Sequence, residues 1–160
     1  IQNPYFEKVI KSSRTKFGFD GVPTGIFNKT INSREAQKIQ TLYILLSDQS
    51  PQLHKTRYWA QFLNQKVPVH TGAEVLAKKH DLIVVNMNTT KIKRGYFETE
   101  FELITTTPKE YANFEITDKF LKIAEKNINK QPEYYLWSHK RFKHINKYDQ
   151  WLKTKKTSQK

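Results

Sequence analysis

The residues best suited to chemistry lie in three short stretches. Pro132–His144 reads PEYYLWSHKRFKH, with Tyr134, Tyr135, Trp137 and Phe142 interleaved with His139, Arg141 and Lys143. LLSDQSP places Asp48 and Gln49 immediately after a run of apolar residues. In open α/β sheets ligands gather just beyond the carboxyl ends of strands. Asp48 there could orient a catalytic group or accept from a substrate donor, or it could cap a turn closed by Pro51. Arg14 falls late in a helical stretch and faces a glycine-containing turn. A guanidinium at that position can fork onto a phosphate or answer the negative end of the helix dipole.

Other chemistries are poorly served. The chain has no cysteine, so disulfides and thiolate metal sites are excluded. Among the five histidines, His70 and His80 are far apart, and His139 and His144 have no acid between them. No metal site or other cofactor is expected. There is no glycine-rich phosphate loop, no Gly-x-Ser-x-Gly nucleophile turn and no kinase or helicase signature.

Lys and Arg exceed Asp and Glu by 28 to 15, a net charge of +13 that calls for an anionic partner or a solvated basic surface. The excess is concentrated: Trp137–Lys160 carries eight cations and one acid, Asp149. Basic residues that are not periodic along one helix, with no recognisable nucleic-acid motif, make a nucleic-acid partner the weaker reading. A hydrophobic fraction of 37% over 160 residues suffices for one domain with a core. No apolar run approaches the length of a membrane span. The opening IQNPYFEKVI reads as the middle of a longer sequence.

The elements that must position these residues follow from periodicity. Asn3–Gly18 reads as a helix with Tyr5, Phe6, Val9 and Ile10 on one side. NSREAQKIQ reads as a short helix capped by Asn32, and Thr41–Asp48 as a strand buried on both faces. QSPQLHKTRYWAQFLNQKVPV reads as a long loop. Thr71-x-x-Glu74 is a capping box opening the helix GAEVLAKKH. DLIVVNM is a second buried strand, followed by YFETEFELI, whose Phe97, Thr99, Phe101 and Leu103 alternate with Glu98, Glu100 and Glu102 to leave one wet face. Ile116, Phe120, Ile123, Ala124 and Ile128 mark an amphipathic helix. The sum is an α/β fold, a mixed and mostly parallel sheet flanked by helices. The Lys-rich residues 147–160 are expected to form a disordered tail.

PEYYLWSHKRFK resembles the C-terminal signature of the lipid A biosynthesis (lauroyl/myristoyl) acyltransferases, Pro-Glu-x-Tyr-x-Trp-x-His-x-Arg-Phe-Lys. The matching residues are Pro132, Glu133, Tyr135, Trp137, His139, Arg141, Phe142 and Lys143. NPYFEKVIKSSRTKFG is similar to the family's Asn-Pro…Arg-x-x-x-Gly helix through Arg14 and Gly18, and LLSDQSP to its Leu-x-Asp-Gln-x-Pro strand end through Asp48, Gln49 and Pro51. VHTGAEVLAKKHDLIVV falls in the same order, so the likeness runs to about His144.

The resemblance implies a glycerolipid-acyltransferase-like fold, of which residues 1–146 would be the later part. It implies transfer of an acyl chain from an acyl carrier protein thioester to a hydroxyl of a lipid A-type glycolipid, at the cytoplasmic face of a bacterial inner membrane. The family's His-x4-Asp/Glu acid/base pair precedes the Asn-Pro segment, so no catalytic residue is expected in this chain, which alone should be inactive. His144-x4-Asp149 has that spacing but follows a basic segment and not a buried strand. By the same resemblance Arg14, Asp48, Gln49, Arg141 and Lys143 become candidates for substrate binding. Tyr134, Tyr135 and Trp137 would pack against the domain or lie at the headgroup level of an anionic membrane. The alternative is that Trp137 and Phe142 are core and Arg141 pairs with Glu133. A non-catalytic basic module binding anionic lipid or nucleic acid, and an acyltransferase for another membrane lipid, are the other readings.

Overall fold

The computed structural model describes residues 3–23 and 25–157. Ile1, Gln2, Thr24 and the last three residues of the expected tail lie outside that range. The chain divides into two compact units, residues 1–43 and 44–160.

The first unit holds helices α1 (Pro4–Thr15) and α2 (Phe27–Ala36). Asn3 starts α1 as its sequence suggests. Its Oδ1 accepts from the Tyr5 and Phe6 N–H groups at 3.0 and 3.1 Å, and Pro4 occupies the first turn, where an N–H is not needed. Helix α2 starts five residues before the expected cap, so Asn32 lies inside it. Phe27 and Ile31 extend the helical spacing backwards, and Ile31 is fully buried. The helix stops at Lys38, whose φ of 55° lets Ile39 N–H reach the Arg34 carbonyl and Lys38 N–H the Glu35 carbonyl. Arg34 bonds Asp20 at 2.6 Å and the Tyr43 hydroxyl donates to Glu35 at 2.7 Å, closing the unit on itself.

The second unit contains β1 (Tyr58–Phe62), β2 (Gln65–Val69), α3 (Gly72–His80), β3 (Val84–Lys93), β4 (Tyr96–Thr105), α4 (Glu115–Lys130) and α5 (Tyr148–Thr157). Its strands form two antiparallel hairpins, β1–β2 and β3–β4, and no parallel pair exists among the described residues. This corrects the expected mostly parallel sheet, although the mixed α/β class stands. The apolar run 41–48 is not a strand. It has no ladder partner among the described residues, and Leu42, Ile44, Leu45 and Leu46 are exposed. A strand buried on both faces needs neighbours that these two hairpins do not supply.

The stretch read as a long loop instead contains the β1–β2 hairpin, paired from Tyr58 with Val69 to Phe62 with Gln65. Its two-residue turn, Leu63-Asn64, has both φ values positive, 49° and 59°, as a twist-matched hairpin turn requires. A leucine pays about 1–2 kcal/mol in that region. Two contacts offset it: the Leu63 N–H donates to the Glu125 carboxylate, and its side chain packs on the core. That core consists of Ala60, Phe62, Val67 and Val69 from the hairpin and Leu121, Ala124 and Ile128 from α4. Burial of Phe62 alone contributes about 1.5–3 kcal/mol. The α4 stripe read from sequence is thus the packed face, with Leu121 added and Phe120 and Ile123 half-buried.

The β3–β4 hairpin departs from expectation in its faces. Val85 with Leu103 and Met87 with Phe101 are paired on one face, and all four are exposed. Asn86, on the opposite face with Glu102, is buried. DLIVVNM is therefore a half-covered hairpin strand. Asp81, expected to open it, ends α3 with a φ of 57°.

Residues 148–157 form a helix and not a disordered tail. The Trp151 ring packs 6.0 Å from Trp59, and its Nε1–H donates to the Thr56 carbonyl at 3.2 Å. The Tyr148 ring meets Trp59 edge-on at 5.3 Å and carries the Lys66 ammonium 3.3 Å from its centroid. Among the described residues no helix is long and apolar enough to cross a membrane.

Glu74 does not close a capping box; Thr71 makes no side-chain cap bond. It reaches across instead to start α4, accepting from Phe114 N–H at 2.6 Å, Thr117 N–H at 2.9 Å and the Thr117 hydroxyl at 2.7 Å. Lys78 pairs with it at 2.8 Å. Burial, at 4% exposure, pushes the carboxyl up, but the bonds from Lys78, Thr117 and Phe114 outweigh it and hold it below its ordinary 4.5. Hydrogen bonds to a charged group contribute about 1.5–3 kcal/mol each, so Glu74→Ala is expected to cost about 3 kcal/mol at neutral pH. With the folded value depressed, the stabilisation is complete above 4.5 and is lost as pH falls through the folded value. Urea unfolding of the wild type and Glu74→Gln should show a gap that closes in acid. A gap independent of pH would contradict this role.

Candidate functional site

The C-terminal motif is built as two single-turn 3-10 segments, Pro132–Tyr134 and Trp137–His139, with Lys140 turning the chain at a φ of 54°. These turns aim alternate side chains inward. The Tyr135 hydroxyl donates to the Asp48 carbonyl at 3.1 Å, and the Ser50 N–H donates to His139 Nε2 at 3.1 Å. Two motif residues therefore grip the backbone of the Asp48-Gln49-Ser50 elbow on both sides of Gln49. An imidazolium has no free acceptor, so the His139 bond requires a neutral ring with its proton on Nδ1.

Arg141 is the largest fully buried side chain, 1% exposed. Its Nη1–H donates to the Pro68 carbonyl at 3.0 Å, and its guanidinium carbon lies 4.9 Å from the centroid of the Phe62 ring. Pro68 belongs to β2, and in an antiparallel strand the N and C=O of one residue point to the same edge. A proline there leaves no orphan N–H on the outer edge of β2, and Arg141 satisfies the carbonyl that remains. Arg141 is thus not a surface contact for phosphate, and its partner is Pro68 and not Glu133, which is exposed. Desolvation lowers the guanidinium, while Tyr135 and Asp48 beside it favour the charged form. Its Nε and Nη2 have no protein partner.

The other candidates differ in burial. Asp48 and Gln49 are half-buried at the elbow. Phe142 packs against the core, as read, whereas Trp137 is exposed and donates its Nε1–H to the Pro132 carbonyl at 2.7 Å. The Tyr135 and Trp137 rings meet edge-on at 4.9 Å. Lys143 is exposed. Arg14 lies exposed in the last turn of α1, within the first unit. His144 follows the motif on a turn, and Asp149 is exposed in the first turn of α5, so this spaced pair stands at no strand end.

His70 is the site residue that the sequence did not single out. It follows β2 directly, and its charge environment includes Arg141 and Asp48. No spacing signal links His70 to residues seventy positions away; only the hairpin register brings it there.

Burial lowers the His70 pKa, Arg141 lowers it further, and Asp48 partly opposes them. Burial, Lys147 and Lys143 lower that of His144. Both histidines are therefore neutral in the fold and take up protons more readily when it opens. Their stabilisation is complete above the ordinary 6.5 and is lost as pH falls through that value towards the folded one. Denaturation midpoints should drop between neutral pH and about pH 5.5, and His70→Gln/His144→Gln should flatten the drop. An undiminished slope in the double variant would contradict the assignment.

The family model of the bacterial lipid A biosynthesis acyltransferases matches residues 1–144. A protein of Blochmanniella floridana named ubiquinone/menaquinone biosynthesis C-methyltransferase UbiE is 41% identical over 73 residues, 45% of this chain and 28% of that protein. The chain thus spans well under half of that relative, too little for its named activity to carry over. No solved structure matches. The motif, the elbow it grips and the family match over 144 residues lead to one conclusion: the chain belongs to the bacterial lipid A biosynthesis acyltransferase family.

Proposed function

We propose that the protein transfers a fatty acyl chain from an acyl carrier protein thioester to a hydroxyl of a phosphorylated, lipid A-type glycolipid. The observation that carries this reading is the elbow. Asp48 and Gln49 stand half-buried on a backbone fastened by Tyr135 and His139, in a chain whose family performs acyl transfer. A wall fixed on both sides of Gln49 can hold a polar substrate without reorganising as it binds.

In this reading the acid/base pair is the His-x4-carboxylate that the family resemblance places before Asn3. Its imidazole takes the proton of the acceptor hydroxyl. The oxygen attacks the thioester carbonyl, the C–S bond breaks, and the proton passes to the departing thiolate. Asp48 and Gln49 supply hydrogen-bonding groups to the acceptor, and the exposed Lys143 supplies a cation for its phosphates; Arg14, exposed in the first unit, is a candidate phosphate contact through the family resemblance alone. Arg141 takes no part in contact; it holds the elbow's surroundings. The reaction would run at the cytoplasmic face of the inner membrane.

The test uses the product of the complete reading frame, acyl carrier protein thioester and a phosphorylated disaccharide lipid acceptor. Arg14→Ala and Asp48→Ala should each lower kcat/KM by about 10- to 100-fold, the loss of one charge-assisted hydrogen bond, with the melting temperature unmoved in Arg14→Ala and lowered in Asp48→Ala, whose carboxylate stands beside the buried Arg141. Full turnover in Arg14→Ala would remove that residue from the site. Absence of acyl transfer by the wild type on this acceptor would overturn the substrate assignment.

A further inference from the structure

The elbow is fastened at two points, and the two fasteners respond differently to pH. The Tyr135 hydroxyl donates to the Asp48 carbonyl at 3.1 Å. Burial raises the Tyr135 pKa above the ordinary 10.0, Asp48 raises it further and Arg141 partly opposes them, so this donor keeps its proton in acid and at neutrality. The other fastener is the Ser50 N–H bond to His139 Nε2 at 3.1 Å. It needs a lone pair on Nε2, which the neutral ring has and the imidazolium lacks. Imidazole is the side chain whose charge changes between about pH 5 and pH 8.

Ser50 is 7% exposed, and its N–H points at the His139 ring. A proton on Nε2 sets two donors against each other at that contact. A buried N–H left unpaired costs about as much as a lost hydrogen bond, so the segment must move away from the ring. Its neighbours limit how far. Asp48 stays on Tyr135. Downstream, the Gln52 carbonyl accepts from the Lys55 N–H at 3.0 Å and from the Thr56 hydroxyl at 3.2 Å, and the Thr56 carbonyl accepts from the Trp151 Nε1–H at 3.2 Å. None of these donors titrates near neutral pH. Pro51 has no N–H to hold. The stretch that protonation can free is therefore residues 49–51, which includes the half-buried Gln49 of the candidate site.

The groups around the ring come from three segments. Asp48 on the elbow, Arg141 in the motif and His139 itself lie within electrostatic range of His70, at the end of β2. Tyr135 stands beside Arg141, and Lys140 follows His139 on the exposed side. A charged His139 disfavours a charged His70, so the two rings titrate as a coupled pair. We propose that His139 is an acid-released latch: protonation at Nε2 breaks its bond to Ser50 and frees residues 49–51, while Asp48 and Thr56 stay held. In the acyl-transfer reading this puts the position of Gln49 under the control of pH. The latch does not rest on that reading, because it is read from one amide and needs no reaction.

The test is a titration of the 160-residue chain from about pH 8 to pH 5, followed by heteronuclear NMR. At the basic end the His139 ring nitrogens should report the Nδ1–H tautomer. On acidification the Ser50 amide should shift with the midpoint of the His139 ring, and its protection from hydrogen exchange should fall about tenfold. The Trp151 indole N–H should hold its position through that midpoint. His139→Gln supplies an amide oxygen that accepts at every pH, and its Ser50 amide should stay unresponsive. An Nε2–H tautomer, or a Ser50 amide that ignores the His139 midpoint, would overturn the proposal. So would an indole signal that moves in step with Ser50, since the unit would then be opening as a whole. A Ser50 response in His139→Gln equal to that of the wild type would assign the effect to another group and overturn it too. Should His139→Gln fail to fold, the wild-type titration decides alone.

Discussion

A guanidinium taken out of water must be given charge and hydrogen bonds by its surroundings, or the fold that buries it fails. Arg141 imposes that condition on the second unit. Its Nη1–H meets the Pro68 carbonyl, its plane lies near Phe62, and the charge of Asp48 and the hydroxyl of Tyr135 stand beside it. These partners come from three parts of the chain: the β1–β2 hairpin, the elbow and the motif itself. The β1–β2 hairpin must be in register for Pro68 to present its carbonyl outward, and the elbow must be in place for Asp48 to supply its field. One buried cation therefore makes hairpin, elbow and C-terminal motif interdependent.

The motif gains a physical meaning from this arrangement. The interleaving of rings and cations in PEYYLWSHKRFK follows the inward and outward sides of two tight turns. Tyr135, His139, Arg141 and Phe142 face the protein, while Tyr134, Trp137 and Lys143 face away. The inward set fixes the backbone of the elbow; the outward set carries the surface chemistry. In the proposed acyl-transfer reading such a fastener acts through geometry, since it touches the elbow's backbone and not the substrate.

Where local rules and tertiary packing agree, the sequence was legible. The spacing of Tyr5, Phe6, Val9 and Ile10 announces α1, and the spacing from Ile116 to Ile128 announces the packed face of α4. Asp48-Gln49 and the C-terminal motif were singled out separately in the sequence, and the structure brings the two segments into contact. The β1–β2 hairpin was hidden because its turn uses Leu63-Asn64, where glycine is the usual signal; a distant carboxylate, Glu125, stabilises the leucine there. Lys38 and Asp81 likewise end helices in left-handed conformations without glycine. The run 41–48 has the composition of a buried strand, but composition does not provide pairing partners. The Lys-rich end reads as disordered by charge, yet Tyr148 and Trp151 dock it on Trp59. Arg141 was misplaced for a related reason: charge predicts exposure, and only the three-dimensional neighbourhood supplies the compensation that permits burial.

The measurement that bears most directly on this account compares urea unfolding of Arg141→Ala with that of Lys143→Ala, two residues apart in one motif. If Arg141 is the buried anchor, its removal leaves a cavity and an unpaired Pro68 carbonyl. The variant should then lose about 3 kcal/mol or more, or fail to fold. Lys143→Ala, on the outward side, should remain within about 0.5 kcal/mol of the wild type. Equal and small changes in the two variants would mean that Arg141 faces outward as a surface cation, and its role as the buried link between hairpin, elbow and motif would have to be abandoned.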